Sequence, residues 1–582
     1  MNSDTNHRSS PFLACTPLAV ALAFLSASAS TSGQTRQDRE QADEDHIHTP
    51  PGFTTPGKPA LATSADAASV ALTFVESSSG KPTPCRVNVV GPDGQFYQPA
   101  NNRLSQYSLT GHWPATGKGN RRGKAPVRYF GRFFYSPGST TVKVPAGKSR
   151  IEVWKGFEYR PTVSEIELKP NEVRAVTIRL DRSVSMAEFD YYSGDTHLHL
   201  ERANEAHEDD AFNLLQAEDV RYGGVLCYNP TASYRGEMSA QDFRQLRGLG
   251  IKSIQRRGDY QIISGQEYRS VHYGHTKVFL ADDLVQAGRI YDPSTWPTFS
   301  EAVRDIRDNG GLVFWAHGGY EKEIWADYVL GGSDGVELMQ FGIYRPIGLE
   351  GWYRILNIGF NYPAMGASDY PPCRKFADCR TYVHSETAPL IDDWLRLLAK
   401  GQSFFTTGPL LLLEVDAVKP GGVIHRTIDS IDTAPTCQAK IRVFSEVAPV
   451  TDIDLIVNGK TVRTMKIPAN RSRGRWIEFT EDLKIAESSW IAARAHSRAP
   501  TGSPDAEAHT NPVHVYLNGK PPYSEADLEW LLEKLDRQIV FHTNRKFPPR
   551  TPLGSKAKAI GYFKQARREL LAIKDRGFQP IR

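Results

Sequence analysis

Apolar and polar residues alternate in two separate stretches of the chain, and between them short unbroken apolar runs take over. From about 66 to 182 the period is two: Val70, Leu72 and Phe74, then Val142 and Val144, Ile151 and Val153, and Val176, Ile178 and Leu180. Gly and Pro turns separate these runs, which predicts the half-buried strands of an antiparallel β-sandwich. From about 183 to 411 the apolar runs at 224–227, 262–264, 312–315 and 336–339 take turns with helical patterns. Helices are predicted over 210–220, over 300–307 with Ser300 as N-cap and Gly310 and Gly311 as stop, and over 389–400. Strands alternating with helices predict a parallel sheet or a βα-barrel. Alternation of period two returns over 412–522, where Ile453, Leu455 and Val457 lead into Asn458-Gly459, a hairpin dipeptide; a second sandwich is expected. A helical tail closes the chain over 523–582, with helices at about 524–542 and 555–575. The second is rich in Lys and Arg, and reads as a solvated face with aliphatic stems packed on the body.

The N-terminus reads as a targeting segment. Arg8 precedes an apolar run over 18–25, and Ala27, Ser28 and Ala29 offer a cleavage site, so 1–30 is expected to be a signal peptide. That run is too short to cross a bilayer, and no later run is long enough. The expected location is therefore the periplasm or the cell exterior, without a membrane span. Residues 31–65, rich in Gln, Thr, Pro and acids, read as a disordered linker, and His46 and His48 within it as a metal motif without a strand to hold it. A net charge of +4 over 582 residues gives no support to nucleic-acid binding. Past the signal, Cys85, Cys227, Cys373, Cys379 and Cys437 remain, an odd number. Cys373 and Cys379 are near enough to bridge or to stand as two reduced loop thiols.

The central stretch carries the candidate chemistry. In Gly194-Asp195-Thr196-His197-Leu198-His199 the two histidines lie two apart, so on a strand they share a face and can converge on one cation. Glu267 follows the run at 262–264, His275 opens the next strand, His317 ends the run at 312–316, and Asp369 follows 364–366. Each then reaches the C-terminal face of the expected barrel, where barrel enzymes place their chemistry. Four imidazoles and two carboxylates gathered there are costly to bury unless a metal pairs them.

Gly-Asp-Thr-His-Leu-His, Gly265-Gln266-Glu267, Gly274-His275, Ala316-His317 and Gly366-Ala367-Ser368-Asp369, in this order, resemble the PHP (polymerase and histidinol phosphatase) metal-dependent hydrolases. Ala217-Glu218-Asp219-Val220, the stretch Ser403-Phe404-Phe405-Thr406-Thr407-Gly408-Pro409 and Thr510-Asn511-Pro512 resemble its secreted CehA/McbA-type branch. The resemblance implies an α/β chain built on a distorted (βα)7 barrel between two β-sandwiches. It implies that His197, His199 and Asp369 hold one divalent metal ion (Zn, Mn or Fe), that His275 and His317 hold a second, and that Glu267 bridges them. A metal-bridging hydroxide would then cleave an ester, carbamate or phosphoester bond of a small-molecule substrate. The chain departs from the family at Tyr228-Asn229 and at Asp369-Tyr370-Pro371, where relatives place further histidines for a third metal, so two metals are expected.

Several residues carry open readings. Tyr370 either offers its hydroxyl to substrate or packs on the following prolines. Arg269, on the same strand face as Glu267, holds an anionic substrate group or a structural ion pair. Glu337 is read as a carboxylate orienting a ligand, or an ion-paired residue, His207 as a helix-start residue or remnant ligand, and His272 as a loop histidine or a substrate contact. Gly331-Gly332-Ser333-Asp334-Gly335 matches a nucleophile elbow formally, but a strand-like run follows it where an elbow needs a helix. Two rivals remain: a non-catalytic secreted protein that binds glycan or protein and keeps a structural metal, and a phosphodiesterase of the same fold.

Overall fold

A computed structural model describes residues 66–576 apart from 110–131, 229–246, 271, 286–297, 340–347, 371–374, 431–433, 448, 469–470, 472, 499–503, 548–550 and 552. The expected signal and linker, His46, His48, Asn229, Pro371 and Cys373 lie outside the described residues. In the N-terminal stretch, Val70, Leu72 and Phe74 of the strand Ala68–Glu76 all turn inward, as the alternation requires. This strand pairs antiparallel with Ser139–Val144 but parallel with Val173–Leu180. The parallel pair departs from the purely antiparallel arrangement expected; so long an intervening chain leaves either strand direction open. A second sheet holds Cys85–Val90, Gly147–Trp154 and Thr162–Leu168, and both sheets bury side chains in one apolar cluster that includes Val87, Val153 and Ile178.

The central stretch contains β1 (Tyr191–Leu198), α1 (Glu205–Ala217), β2 (Tyr222–Tyr228), β3 (Tyr260–Ser270), β4 (Gly274–Phe279), β5 (Leu312–Trp315), α2 (Ile324–Leu330), β6 (Gly335–Met339), β7 (Ala364–Gly366) and α3 (Ile391–Leu398). β1, β2 and β3 pair in parallel, as do β5, β6 and β7. β3 and β4 form an antiparallel hairpin, and β4 is antiparallel to β5. The hairpin turns at Gly274, whose φ of +107° suits glycine and where a Cβ would meet the Trp315 ring at 2.8 Å. Beyond β7 the chain returns to β1: the Tyr370 N–H donates to the His197 carbonyl (3.2 Å) and its carbonyl accepts from the His199 N–H (2.9 Å). The expected helix N-cap at Ser300 is instead Thr298, whose hydroxyl accepts the Glu301 N–H at 3.1 Å.

The sheet does not stop at the boundary expected near residue 411. β1 pairs with Arg380–His384, which pairs with Ser403–Thr406, and that strand pairs with Pro504–Thr510. Asn458 and Gly459, both at positive φ, join Asp452–Val457 to Lys460–Lys466 as the dipeptide predicts. Cys379 is a free buried thiol that donates to the Met339 carbonyl at 3.2 Å, so it takes no part in the bridge considered above. The tail forms α4 (Glu525–Asn544), capped by Ser524, and α5 (Ser555–Arg576). Leu528, Leu531, Leu535, Phe563 and Leu570 join the same apolar cluster as Trp315, Trp325 and Trp352. No helix among the described residues is long and apolar enough to cross a membrane.

Three buried histidines outside the candidate site make the fold acid-sensitive. Burial pulls His514 down to about 4; burial and the neighbouring Arg494 pull His509 to about 3; burial, then Arg545 and His272, pull His542 to about 3. The unfolded chain takes up these protons near pH 6.5 and the folded chain does not, so their stabilisation is complete above about 6.5 and shrinks as pH falls. Each contributes a slope of up to about 1.4 kcal/mol per pH unit in that window. Denaturant unfolding of chelator-treated protein between pH 7.5 and 5 will show a shallower slope in His514→Gln than in the wild type. Equal slopes would mean that His514 takes up its proton as readily in the fold as in the unfolded chain.

Candidate metal centre

Six side chains from five separate segments meet at one end of the central strands. β1 delivers His197, with His199 one residue past its end, and their rings stand 5.1 Å apart. The glycine that begins the motif is needed for close approach, since a Cβ on Gly194 would meet the Trp394 ring at 2.5 Å. Glu267 lies within β3, three residues short of its end, because the strand runs further into the hairpin than the apolar run suggests. β4 runs opposite to its neighbours, so its first residues, His275 among them, lie at the end where the parallel strands finish. His317 directly follows β5 and Ala316, and Asp369 follows β7; both have positive φ, +54° and +51°. Such backbone costs of order 1 kcal/mol or more for non-glycine residues and persists where its surroundings fix it, typically at functional sites.

Glu267 sits at the centre of the group and is fully buried. Its Oε1 faces His275 Nδ1 at 2.9 Å and His317 Nε2 at 3.3 Å, while its Oε2 faces His199 Nε2 at 3.4 Å. His197 Nε2 is 3.7 Å from Oε1. Asp369 Oδ1 lies 3.3 Å from His197 Nε2 and 3.2 Å from His199 Nε2. Asp369 thus pairs with His197 and His199, while His275 and His317 meet at Glu267 Oε1, the oxygen that His197 also approaches from farther off; Glu267 is common to both sides.

The other nitrogens of His197 and His199 are committed elsewhere, which fixes the ones that face inward. His197 Nδ1 donates to Glu337 Oε2 (2.9 Å) and His199 Nδ1 to the Leu226 carbonyl (3.1 Å), leaving both Nε2 lone pairs toward Asp369 and Glu267. Glu337 also serves the other side, with Oε1 3.5 Å from His317 Nδ1 and 3.4 Å from the His317 N–H. It is itself held by Lys277, a fully buried ammonium that donates to Glu337 Oε2 (2.6 Å) and to Thr196 Oγ1 (2.8 Å). Burial would raise the Glu337 carboxyl, but Lys277, His197 and His317 outweigh it and hold it down at about 2. Burial opposes ionisation of Glu267 too, and the four imidazoles gathered around it, His197, His199, His275 and His317, hold it well below the usual carboxylate range. Asp195 accepts the His197 and Ser368 N–H groups (3.0 and 3.1 Å), tying β1 to the loop that bears Asp369.

This donor set fits a metal ion. Two ligand atoms each about 2.1 Å from one tetrahedral cation stand about 3.4 Å apart, and the separations among His197, His199, Glu267 and Asp369 centre on that value. Among the described residues three overlapping groups are able to hold a metal ion: His197, His199 and Glu267; Glu267, His275 and His317; and His197, His317 and Glu337, the last joining one histidine from each side of Glu267.

The remaining candidates fall at varied distances from this centre. Arg269 is buried beside it; burial draws its guanidinium down to about 9, with Asp369 acting in the opposite sense. The Tyr370 ring is buried in an apolar cluster with Leu198, Phe212 and Phe376, while its main chain braces the ends of β1. His207 lies in the first turn of α1, where Asn204 caps its N–H, and stands outside all three donor groups. His272 lies beside the Phe541 ring, 5.9 Å away. Ser333 is buried against the Tyr362 hydroxyl in a turn that leads from α2 into β6, the reverse of the strand-to-helix order of a nucleophile elbow. Lys277, Asp195 and Tyr320 are absent from the sequence-based candidates. The Tyr320 ring lies against His275 and His317 at 5.0 and 5.2 Å. Lys277 is on the same strand face as His275, two residues on, which is the one sequence signal that marks it.

No family model matches the chain, and no curated protein matches it. Among solved structures it aligns with "pT26-6p" at a TM-score of 0.14 and 12% identity, over 31% of this chain and 42% of that one.

Proposed function

We propose that the chain is an exported metal-dependent hydrolase of the PHP type, with its barrel built from β1 to β7 between two β-sandwiches. The observation that carries this reading is the central place of Glu267, whose Oε1 faces His275, His317 and, farther off, His197, while its Oε2 faces His199. A carboxylate shared in this way lets two divalent cations sit close together, and Zn, Mn or Fe suit the imidazole and carboxylate donors. When bound, such cations supply activated water and polarise the oxygen of an ester, carbamate or phosphoester bond.

The chain's own residues divide the remaining work. His197, His199 and Asp369 hold the first cation, His275 and His317 the second. Glu337 and Lys277 fix the ring orientation of His197 and His317 before substrate arrives, so little reorganisation is left for the reaction. Arg269 offers a buried cation beside Asp369 for an anionic group of the substrate.

The test joins metal analysis to an activity panel. Protein reconstituted with Zn or Mn is expected to hold two cations per chain and to hydrolyse at least one of a set of nitrophenyl esters, carbamates, phosphate monoesters and diesters. Chelation will abolish that activity and metal will restore it. Absence of bound cation after reconstitution would overturn the enzyme reading. Two bound cations with no turnover across the panel would favour the non-catalytic binding protein, and turnover of diesters alone the phosphodiesterase.

A further inference from the structure

The loop that carries His317 is held from outside the strands. His317, Gly318, Gly319, Tyr320 and Glu321 all have positive φ, between +51° and +65°. Three of the five are not glycine, so each of those three places a Cβ in the disfavoured left-handed region. A segment of this kind keeps its shape only if contacts over-determine it. Its far end is gripped by the tail: Lys534 Nζ pairs with Glu321 Oε2 at 2.9 Å, and Gln538 Nε2 donates to the Glu321 carbonyl at 3.1 Å. Both grips come from successive turns of α4, and the Lys534 ammonium lies over the Trp325 and Trp530 rings, 5.4 and 4.9 Å from their centroids.

The same helix reaches the other histidine on that side of Glu267. The His542 ring is stacked between Tyr273, two residues before His275, and Phe563 of α5, with both centroid distances 5.1 Å. Arg545 Nη2 donates to the Tyr273 hydroxyl at 3.0 Å. All of Tyr273, His542 and Phe563 are fully buried. Tyr320, pinned between Gly319 and the anchored Glu321, presses on both imidazoles. The contacts of α4 thus converge on the loops of His275 and His317, whereas His197, His199 and Asp369 are braced by β1, Leu226, Asp195 and Tyr370.

We propose that α4 is a positioning element for the second cation alone: through Glu321 and Tyr273 it fixes His275 and His317, and loosening it weakens that cation without disturbing the one held by His197, His199 and Asp369. This rests on the two-cation reading above. The decisive variant is Lys534→Met with Gln538→Ala in the full chain, titrated with Zn or Co after chelation. Wild type is expected to take up two cations. The variant should keep the tighter affinity and lose at least about tenfold in the other, with the metal-free unfolding midpoint nearly unchanged. Lys534→Arg with Gln538 intact should restore both affinities. If the double variant's metal-free midpoint falls sharply, Lys534→Met alone is read in its place, and the same selective weakening is required of it. Two affinities unchanged, or both reduced equally, would overturn the positioning role and leave the metal reading standing. A wild type that binds no cation would overturn both.

Discussion

Glu267→Gln should empty the centre, with cation content falling from two per chain to below one and hydrolysis by at least about a thousandfold. The reason lies in how many groups depend on this carboxylate. Its two oxygens face four imidazole nitrogens at 2.9 to 3.7 Å, so no single cation site is complete without it. An amide of the same shape keeps one acceptor oxygen but turns an NH2 toward a lone pair that should meet a cation, and it removes the charge that offsets two dications in a buried pocket. Even an outer partner of a metal ligand typically accounts for 10- to 100-fold in affinity, and a shared ligand exceeds that. Elemental analysis of reconstituted protein is the primary measurement, with far-ultraviolet circular dichroism to show that the chain remains folded. Unchanged metal content would show that Glu267 is no ligand.

The loci of the candidate site could be read from the sequence because each ligand lies on or at an end of a strand-forming run, and such runs become strands whatever their partners. Glu267, His317 and Asp369 follow from that rule, His197 and His199 from their spacing of two on one strand, and His275 from its place at the start of the next strand. What could not be read is direction. β4 runs antiparallel because Gly274 admits a tight hairpin, and this, rather than a strand C-terminus, brings His275 to its neighbours. The same limit applies to the edge between the central and C-terminal stretches. Periodicity changes near residue 411, yet Phe404 pairs with Thr510 and carries the sheet across, because backbone pairing is indifferent to the pattern of the side chains.

Contacts over long sequence separations were also hidden. A single lysine in a strand reads as solvent-facing, since an ammonium is seldom buried unpaired. Lys277 is buried because Glu337, 60 residues on, meets it. Lys534 meets Glu321 across 213 residues, and nothing in the local pattern of a Lys-rich, amphipathic tail announces it. The tail reads as a helical pair packed on the body by its apolar face; that it also grips the His317 loop is visible only in three dimensions.

The pair of Lys277 and Glu337 yields a second large effect, one that separates stability from metal binding. Glu337→Gln removes the charge that compensates the Lys277 ammonium in a site where both groups are fully buried. An ion left uncompensated in such surroundings typically costs about 3–5 kcal/mol, so the metal-free protein should lose about that much unfolding free energy. The amide also loses the carboxylate that orients His197 Nδ1 and faces His317, so cation affinity should fall by about 10- to 100-fold. Adding Lys277→Met removes the stranded charge with a side chain of similar length, while His197 and His317 stay without their carboxylate. The double variant should therefore regain most of the lost stability and none of the lost affinity. Denaturant unfolding of the metal-free proteins and cation titration read the two quantities independently. If affinity returns together with stability, Glu337 acts on the centre only by keeping the fold intact, and its part in orienting the two histidines is refuted.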